Sequence, residues 1–275
     1  MKLYPALDVE STSEVVLALV DDFAPTAVEE GSTAMRLFFA ASDARDAACA
    51  ELRAQGYATV PLDVSDEDWA RRSQQHLDPI TVGRITIFPN PESPIAANPQ
   101  SQTPNPDRVF LTIVPSMGFG TGHHATTRLC LEALQRVDLT GKFVLDIGTG
   151  SGVLAIAADR LGASRACGID HDADAIQSAC ENLALNQRAT HTSFELRDLA
   201  AAPLPTADVV TANLTGALLV RVAPTLLAAA RRGGTLILSG ILAEEGDAVR
   251  KAFSPADLIE ERQEAEWLCL RLTRR

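Results

Sequence analysis

The sequence lacks features that would place it in a membrane, in a secretory pathway or on nucleic acid. No apolar run reaches the roughly 18 residues that a membrane-spanning helix needs. The first residues, MKLYPALDVESTSEVVLALVDD, carry acids and lack the basic-then-apolar order of a secretory signal. Lys and Arg number 24 against 36 Asp and Glu, and the net charge of −12 disfavours tight binding to a phosphate backbone. We therefore expect a cytoplasmic protein without direct nucleic-acid or membrane binding, whose acidity is compatible with a basic macromolecular partner.

The sequence also lacks clustered cysteines. Its five cysteines are odd in number, never form a CxxC pair, and lie at Cys49, Cys130, Cys167, Cys180 and Cys269. Neither a disulfide framework nor a zinc cluster is expected from such a distribution. The adjacent His123 and His124 stand without clustered Cys, Asp or Glu, so no metal site is expected there either.

A proline-rich stretch divides the 275 residues. Six prolines fall between Pro89 and Pro106, a density that excludes both a helix interior and a central strand. Residues 1–62 alternate strand and helix patterns and predict a small α+β domain with ten acids and four bases. Residues 63–106 predict a connecting helix and strand followed by the linker, and residues 107–275 form the larger, second half.

The second half predicts an α/β fold. Short β-branched runs such as KFVLDIG, ACGID and GTLILSG alternate with helical patterns such as SGVLAIAADRLG and DADAIQSACENLALN. This alternation is typical of a mostly parallel, doubly wound sheet with helices on both faces. The stretch HATTRLCLEALQRV adds a helix before the first strand, and DLIEERQEAEWLCLRLTRR can supply two more strands at the end.

The stretch VLDIGTGSGVLAIAA, residues 144–158, places three glycines between a strand pattern and a helix pattern. Backbone N–H groups at such a helix N-terminus, beside the carboxyl end of a strand, are where open α/β sheets bind ligands. A dinucleotide fingerprint, G-x-G-x-x-G, would need its third glycine at Val153, so that spacing fails. Gly148, Gly150 and Gly152 follow the spacing G-x-G-x-G instead.

Two acids follow the glycine loop at the ends of the next predicted strands. Asp170 lies about 20 residues beyond the loop, where a carboxylate can accept both hydroxyls of an adenosine ribose. Asp198 follows FELR, where it can accept a hydrogen bond from an adenine amino group. The structural alternative is that the glycines make a tight turn and Asp170 caps the following helix. The loop and the two acids together favour S-adenosylmethionine over a dinucleotide.

A second glycine-rich stretch, PSMGFGTGHHATTRLCLEAL, lies upstream at residues 115–134. With FGTGHHATT, VLDIGTGSGVLAIAA, GIDHDADAI, VTANLTG and LSGIL in this order, the sequence resembles the lysine methyltransferases of ribosomal protein L11. The resemblance covers residues 107–275 and extends upstream to DEDWARRSQQHLDPI. It implies the Rossmann-like sheet of class I methyltransferases, S-adenosylmethionine as cofactor, and a small N-terminal domain that recognises the substrate.

The resemblance also implies roles for single residues. Thr127 contacts the methionine end of S-adenosylmethionine, and Gly148 lies beneath it, with Gly150 in the same loop. Asp170 holds the ribose, and Asn213 closes the site.

Two of the candidate residues permit more than one interpretation. Phe119, in the FGTG loop, can lie against the sulfonium or the adenine, or it can anchor the loop as a hydrophobic residue. Asn213 follows a predicted strand, and its amide oxygen can accept a hydrogen bond from the amine that receives the methyl group. The alternative for Asn213 is a turn residue at the end of a strand. Trp69 and Trp267 are interpreted as packing residues.

These patterns favour an S-adenosylmethionine-dependent protein N-methyltransferase that modifies lysine, and the N-terminal amine as a further acceptor, of ribosomal protein L11. The acidic first domain would present this basic partner. A methyltransferase acting on another protein lysine or on a small amine would carry the same cofactor residues. An NAD-dependent oxidoreductase or a non-catalytic nucleotide-binding module is the remaining alternative, and the failed dinucleotide spacing argues against it.

Overall fold

The computed structural model describes residues 3–11, 16, 19–20, 23, 25–30, 33–65, 78–89, 108–114, 124–199 and 203–275. The chain divides into two compact units, residues 1–75 and residues 76–275. The proline-rich linker, the FGTG loop and Trp69 lie outside the described residues. The three-part division that the sequence suggests stays a prediction, and in the structure the second unit begins before the linker.

The first unit contains a four-stranded sheet in the order β2-β3-β1-β4, with antiparallel pairing throughout. Its helix covers one face, where Leu7, Leu37 and Leu52 are fully buried. The sequence patterns predict strands over residues 1–9 and 34–40 and a helix over 43–56, which β1, β3 and α1 confirm, but not the two outer strands. The helix that they predict over residues 11–23 lies largely outside the described residues. The elements are β1 (Leu3–Val9), β2 (Ala27–Glu30), β3 (Met35–Phe38), α1 (Ser42–Ala54) and β4 (Thr59–Ser65).

The second unit opens with a small sheet of three strands and a helix. The pattern TVGRITIF reads as one strand in the sequence, but Gly83 adopts a φ of 58° and turns the chain into a hairpin. The last strand of this sheet, which the sequence does not predict, pairs in parallel with the second. The elements are β5 (Ile80–Val82), β6 (Ile85–Phe88), β7 (Val109–Thr112) and α2 (Ala125–Leu134).

The main sheet has seven strands in the order β10-β9-β8-β11-β12-β14-β13. The first five strands run in parallel, and the last two, which the sequence predicts as strands, are added antiparallel. The elements are β8 (Phe143–Ile147), α3 (Val153–Arg160), β9 (Arg165–Asp170), α4 (Ala173–Leu185), β10 (Thr192–Leu196), β11 (Ala207–Asn213), α5 (Gly216–Ala229), β12 (Ala230–Leu242), α6 (Gly246–Ala252), β13 (Ala256–Glu264) and β14 (Trp267–Arg274).

Helices cover both faces of this sheet, which gives it two hydrophobic cores. Val144 of β8 packs on the side of α2 and α3, and its neighbour Leu145 packs on the side of α5 and α6. Three of the four apolar side chains of β8 are buried and Phe143 is half-buried, as expected for a central parallel strand. The doubly wound α/β fold that the alternation predicts is therefore confirmed.

One helix boundary differs from the sequence pattern. The run LLVRVAPTLLAAARR predicts a helix through Arg232, but α5 ends at Ala229 and β12 begins at Ala230. Ala230 pairs with Ala207 at the start of β11, so the sheet extends into the predicted helix. Strand pairing outweighs the high helix propensity of alanine here.

Candidate functional site

A cavity of about 1000 Å³ lies at the carboxyl ends of β8, β9 and β11. The strand order reverses between β8 and β11, and open α/β sheets bind ligands at such a switch point. The cavity brings together six of the seven candidate residues, and the seventh, Phe119, lies outside the described residues. The six are Thr127, Gly148, Gly150, Asp170, Asp198 and Asn213.

The glycine loop folds as a series of left-handed residues between β8 and α3. Gly148, Gly150 and Gly152 have φ values of 71°, 52° and 80°, a region that side chains other than glycine rarely adopt. A Cβ on Gly152 would lie 2.6 Å from Cζ of Phe194 and 3.0 Å from Cβ of Ala179. The third glycine of this G-x-G-x-G loop thus permits close packing of the loop against β10 and α4.

Asp170 fixes the glycine loop at the edge of the cavity. Its Oδ2 accepts the N–H of Gly150 at 3.0 Å, and its Oδ1 accepts the N–H of Asp172 at 3.1 Å. The N-cap of α4 is Asp172, whose Oδ1 accepts the N–H of Asp174, so the interpretation of Asp170 as the helix cap is wrong. Each Asp170 oxygen retains a lone pair, which leaves the carboxylate able to accept hydroxyl donors from the cavity.

Asp146 lies beneath the glycine loop and is fully enclosed. Its two oxygens accept hydrogen bonds from the hydroxyls of Thr211, at 2.6 Å, and Thr149, at 2.7 Å. Burial raises the pKa of Asp146, and the two hydrogen bonds lower it. Burial is the larger effect, and the resulting pKa is about 6. The group connects β8, β11 and the glycine loop, and neither motif spacing nor charge pattern identified it in the sequence.

We expect Asp146→Asn to change how stability depends on pH. The native pKa of about 6 lies above the ordinary aspartate value of 3.8, so the native state holds the proton more tightly than the unfolded chain does. The contribution of Asp146 to stability therefore falls as pH rises from about 4 to about 6 and stays lost above that. A pKa shift of one unit corresponds to about 1.4 kcal/mol. The free energy of unfolding of Asp146→Asn, relative to that of wild type, should therefore rise by up to about 3 kcal/mol between pH 4 and pH 7. Urea unfolding at pH 4, 5 and 7 measures this difference.

The exposed Asp138 provides a control of opposite sign. The backbone N–H of Thr140 lowers the pKa of this carboxyl, so its stabilising contribution is present at neutral pH and lost in acid. Asp138→Asn should therefore lose stability relative to wild type as pH rises. A difference between Asp146→Asn and wild type that stays constant with pH would show that Asp146 is already ionised at pH 4.

Asn213 and Thr127 face each other across the cavity wall. The Nδ2 of Asn213 donates to the hydroxyl of Thr127 at 3.4 Å, and Thr127 is almost fully buried. Among the residues that the structure describes, the Oδ1 atom of Asn213 is the one buried side-chain polar atom that has no hydrogen-bond partner. Buried polar atoms nearly always have a partner, so such an exception indicates a place for a donor from elsewhere.

Two aromatic side chains, which the sequence did not assign to the site, also line the cavity. His124 caps α2, since its Nδ1 accepts the N–H of Thr126, and its ring lies 4.9 Å from that of Trp267 in an edge-on contact. Trp267 begins β14 opposite Leu242, at the carboxyl end of β12. It packs against the core, as predicted, and also lines the cavity. The place of Trp267 beside the cavity follows from the pairing of β14 with β12, which the sequence pattern does not give.

A pair of asparagines on α4 ties β7 to the site. Asn182 accepts the N–H of Val114 at 2.9 Å and donates to the carbonyl of Ser151 in the glycine loop at 3.0 Å. One turn further on, Asn186 bonds both the N–H and the carbonyl of Thr112. The segment that leads into the FGTG stretch is therefore connected to the glycine loop by one buried side chain.

Metal binding and membrane insertion find no support in the described part of the chain. No group of three or more His, Cys, Asp or Glu side chains there is arranged to hold a metal ion. No helix in the same ranges has both the length and the apolar character to cross a bilayer.

The comparison with protein families decides the class of this cavity. The family model for the ribosomal protein L11 methyltransferases (PrmA) matches residues 13–275, nearly the whole chain. The chain belongs to this family. Membership confirms the predicted enzyme class and cofactor, a methyltransferase that depends on S-adenosylmethionine, and leaves the oxidoreductase and the non-catalytic module without support.

Individual relatives agree with the family assignment. The ribosomal protein L11 methyltransferase of Pelobacter propionicus is 42% identical over 215 residues, which are 75% of this chain and 67% of that protein. The one from Cupriavidus pinatubonensis is 37% identical over 249 residues, or 88% and 80% of the two chains. The crystal structure of a ribosomal protein L11 methylase from Lactobacillus delbrueckii subsp. bulgaricus, 26% identical, superposes with a TM-score of 0.63 and covers 73% of this chain and 99% of its own.

Proposed function

We propose that this enzyme transfers methyl groups from S-adenosylmethionine to lysine, and to the N-terminal amine, of ribosomal protein L11. The observation that carries the proposal is the unpartnered Oδ1 of Asn213 in the wall of the cavity. It is a neutral acceptor placed at the carboxyl edge of the sheet, and an amine supplies the donor that it lacks. We propose a cytoplasmic location for this reaction, because the proposed substrate is a ribosomal protein.

The residues of the cavity suit S-adenosylmethionine. The volume of about 1000 Å³ exceeds that of a nucleoside, and carboxylates stand at the ends of β9 and β10. We assign Asp170 to the ribose hydroxyls and Asp198 to the adenine amino group. Thr127, with Gly148 and Gly150, borders the methionine end, and Phe119 is assigned to the sulfonium or adenine on the family resemblance alone.

The chemistry requires a neutral amine in the correct orientation. When bound, S-adenosylmethionine supplies a methyl group on a positively charged sulfur. A free lysine has a pKa of about 10.4, so its ammonium must lose a proton to solvent before it can react. The Oδ1 of Asn213 accepts a hydrogen bond from one of the remaining N–H groups of the amine. This hydrogen bond fixes the direction of the lone pair on the amine nitrogen. Alignment of this kind supplies much of the rate in a displacement that needs no strong base.

We propose that residues 1–62 recognise the substrate through their negative charge. The described basic side chains of the first unit are engaged within it: Arg36 pairs with Asp8, Arg45 pairs with Asp63, and Arg53 donates to β4. The acids outnumber these bases, so the excess negative charge is available to a basic partner. Direct binding of nucleic acid is not expected from this balance.

Methyl transfer to purified proteins tests the proposal. The enzyme is incubated with S-adenosylmethionine labelled on the methyl group and with L11, a second basic ribosomal protein, or free lysine. We expect label on L11 alone. Label on the second protein or on free lysine would favour the alternative of a broader protein or small-amine methyltransferase, and label on none of the three would exclude the L11 assignment.

A further inference from the structure

Gly240 occupies an irregular position in β12, next to Asn213. Ser239 pairs with Cys269 and Ile241 pairs with Leu268, so Gly240 is the extra residue of a β-bulge opposite β14. Its φ of 82° lies in the left-handed region. Bulges of this kind occur beside active sites, where they redirect the chain, and Gly240 itself lines the cavity.

The backbone that carries Asn213 lies directly against Gly240. A Cβ at this position would stand 2.8 Å from the carbonyl carbon of Leu214 and 3.1 Å from the Oδ1 of Asn213, with the carbonyl oxygen of Leu214 closer still. The N–H of Leu214 also donates to the carbonyl of Ser239 at 3.0 Å. Residues 213 and 214 are therefore held between this hydrogen bond and the Cα of Gly240. Any side chain at position 240 must displace these two residues.

Two other glycines show that this close approach is particular to Gly240. A Cβ on Gly148 would meet the Cδ2 of Leu214 at 2.5 Å, which is the end of a side chain that can rotate away. Gly233 lies on the same strand, β12, with a φ of 70°, but nothing stands within 4 Å of a Cβ added there. Gly233 and Gly240 thus share the backbone strain of an added side chain but differ in its contact with Asn213.

We propose that Gly240 is a positioning residue, whose missing side chain sets the place of the Asn213 amide oxygen and thereby the rate of methyl transfer. The inference rests on the proposed role of Asn213. The proposal gives a specific reason for the glycine of the LSGIL stretch. Gly240 lies 27 residues after Asn213 in the chain, and its neighbour Ser239 pairs with Asn213 in the sheet. In this proposal Gly240 contributes no group to the chemistry and acts through the position of Asn213.

The first test compares Gly240→Ala with Gly233→Ala on L11. We expect kcat to fall by about tenfold to a hundredfold in Gly240→Ala, because a shift of about 1 Å in a positioning group costs about that much. The dissociation constant of S-adenosylmethionine and the KM for L11 should change by less than about threefold. Gly233→Ala should retain the wild-type kcat, although both substitutions lower the melting temperature through strain. Equal kcat values in the two variants would overturn the proposal.

A double-mutant cycle separates positioning from a general loss of structure. If Gly240 acts through Asn213, the change Gly240→Ala should cost less than about threefold in kcat when Asn213 is already alanine. The same fold loss in both backgrounds would show that Gly240 acts elsewhere, and the proposal would fail.

A spectroscopic measurement keeps this test independent of the substrate. The side-chain amide signal of Asn213 in a ¹⁵N-labelled enzyme is identified by its loss in Asn213→Ala. It should shift in Gly240→Ala and stay in place in Gly233→Ala. If wild type methylates no L11 but this shift is observed, the substrate proposal fails while the positioning stands. An unmoved signal in Gly240→Ala contradicts the positioning whatever the substrate.

Discussion

Asp170→Ala is expected to weaken binding of S-adenosylmethionine by more than tenfold. Hydrogen bonds to a charged carboxylate contribute about 1.5–3 kcal/mol, and in the proposed site both ribose hydroxyls would bond to this one group. The substitution also removes the acceptor for the N–H of Gly150, so the glycine loop keeps only its backbone hydrogen bonds to Ile169 of β9. Isothermal titration calorimetry of the purified variant measures the change.

A second buried carboxylate serves as the matched control. Asp159 accepts the N–H of His191 at 2.6 Å and the hydroxyl of Thr192 at 2.9 Å, but it lies outside the cavity. Asp159→Ala should lower the melting temperature and leave the affinity for S-adenosylmethionine unchanged. If Asp170→Ala retained wild-type affinity, the assignment of the ribose to this residue would be wrong.

Asn213→Ala is expected to slow methyl transfer by about a hundredfold without unfolding the enzyme. Removal of one well-placed hydrogen-bonding group from an active site costs on the order of 10²–10³ in kcat. The dissociation constant of S-adenosylmethionine should change by less than about threefold, because the Oδ1 is assigned to the amine. Steady-state kinetics with L11 and calorimetry with the cofactor give the two values.

The same substitution has an unusual expected effect on stability. An unpartnered buried acceptor costs about 1–3 kcal/mol, and alanine removes it, so Asn213→Ala should be as stable as wild type or more stable. Asn186→Ala is the matched control, since that asparagine has satisfied bonds to Thr112 and the change should lower stability but leave kcat intact. A fall in both stability and cofactor affinity in Asn213→Ala would indicate a structural residue instead.

Much of the catalytic half could be predicted because its signals are local. Four of the five parallel strands, β8, β9, β11 and β12, are largely buried runs followed by a helix pattern, and the carboxyl ends of parallel strands meet at one edge. The glycine loop follows β8 directly, and Asp170 and Asn213 are the last residues of β9 and β11, so their convergence required only the order of the sheet. Asp146 and Trp267 required more, since their contacts depend on partners that lie 65 residues or 25 residues away in the chain.

The outer strands were missed for physical reasons. β4 contains Pro61, which argues against a strand, yet β4 lies at the edge of its sheet, where a proline is tolerated. β2 spans only four residues. β5 and β6 continue a single alternating pattern, and only the left-handed conformation of Gly83 separates them. Pairing with strands that are distant in the sequence defines these elements more than their own composition does.

The outermost strand of the main sheet, β13, carries several charged side chains and is mostly exposed or half-buried. Glu260 pairs with Arg136 and Arg271, and Glu261 pairs with Arg250. An open strand edge is a template on which another copy of the chain can add its own strand, and a row of charges opposes that addition. The charges of β13, which follow the exposed Leu258 and Ile259, should therefore oppose strand addition at this end of the sheet, and raised ionic strength, which screens exposed charges, should weaken that effect.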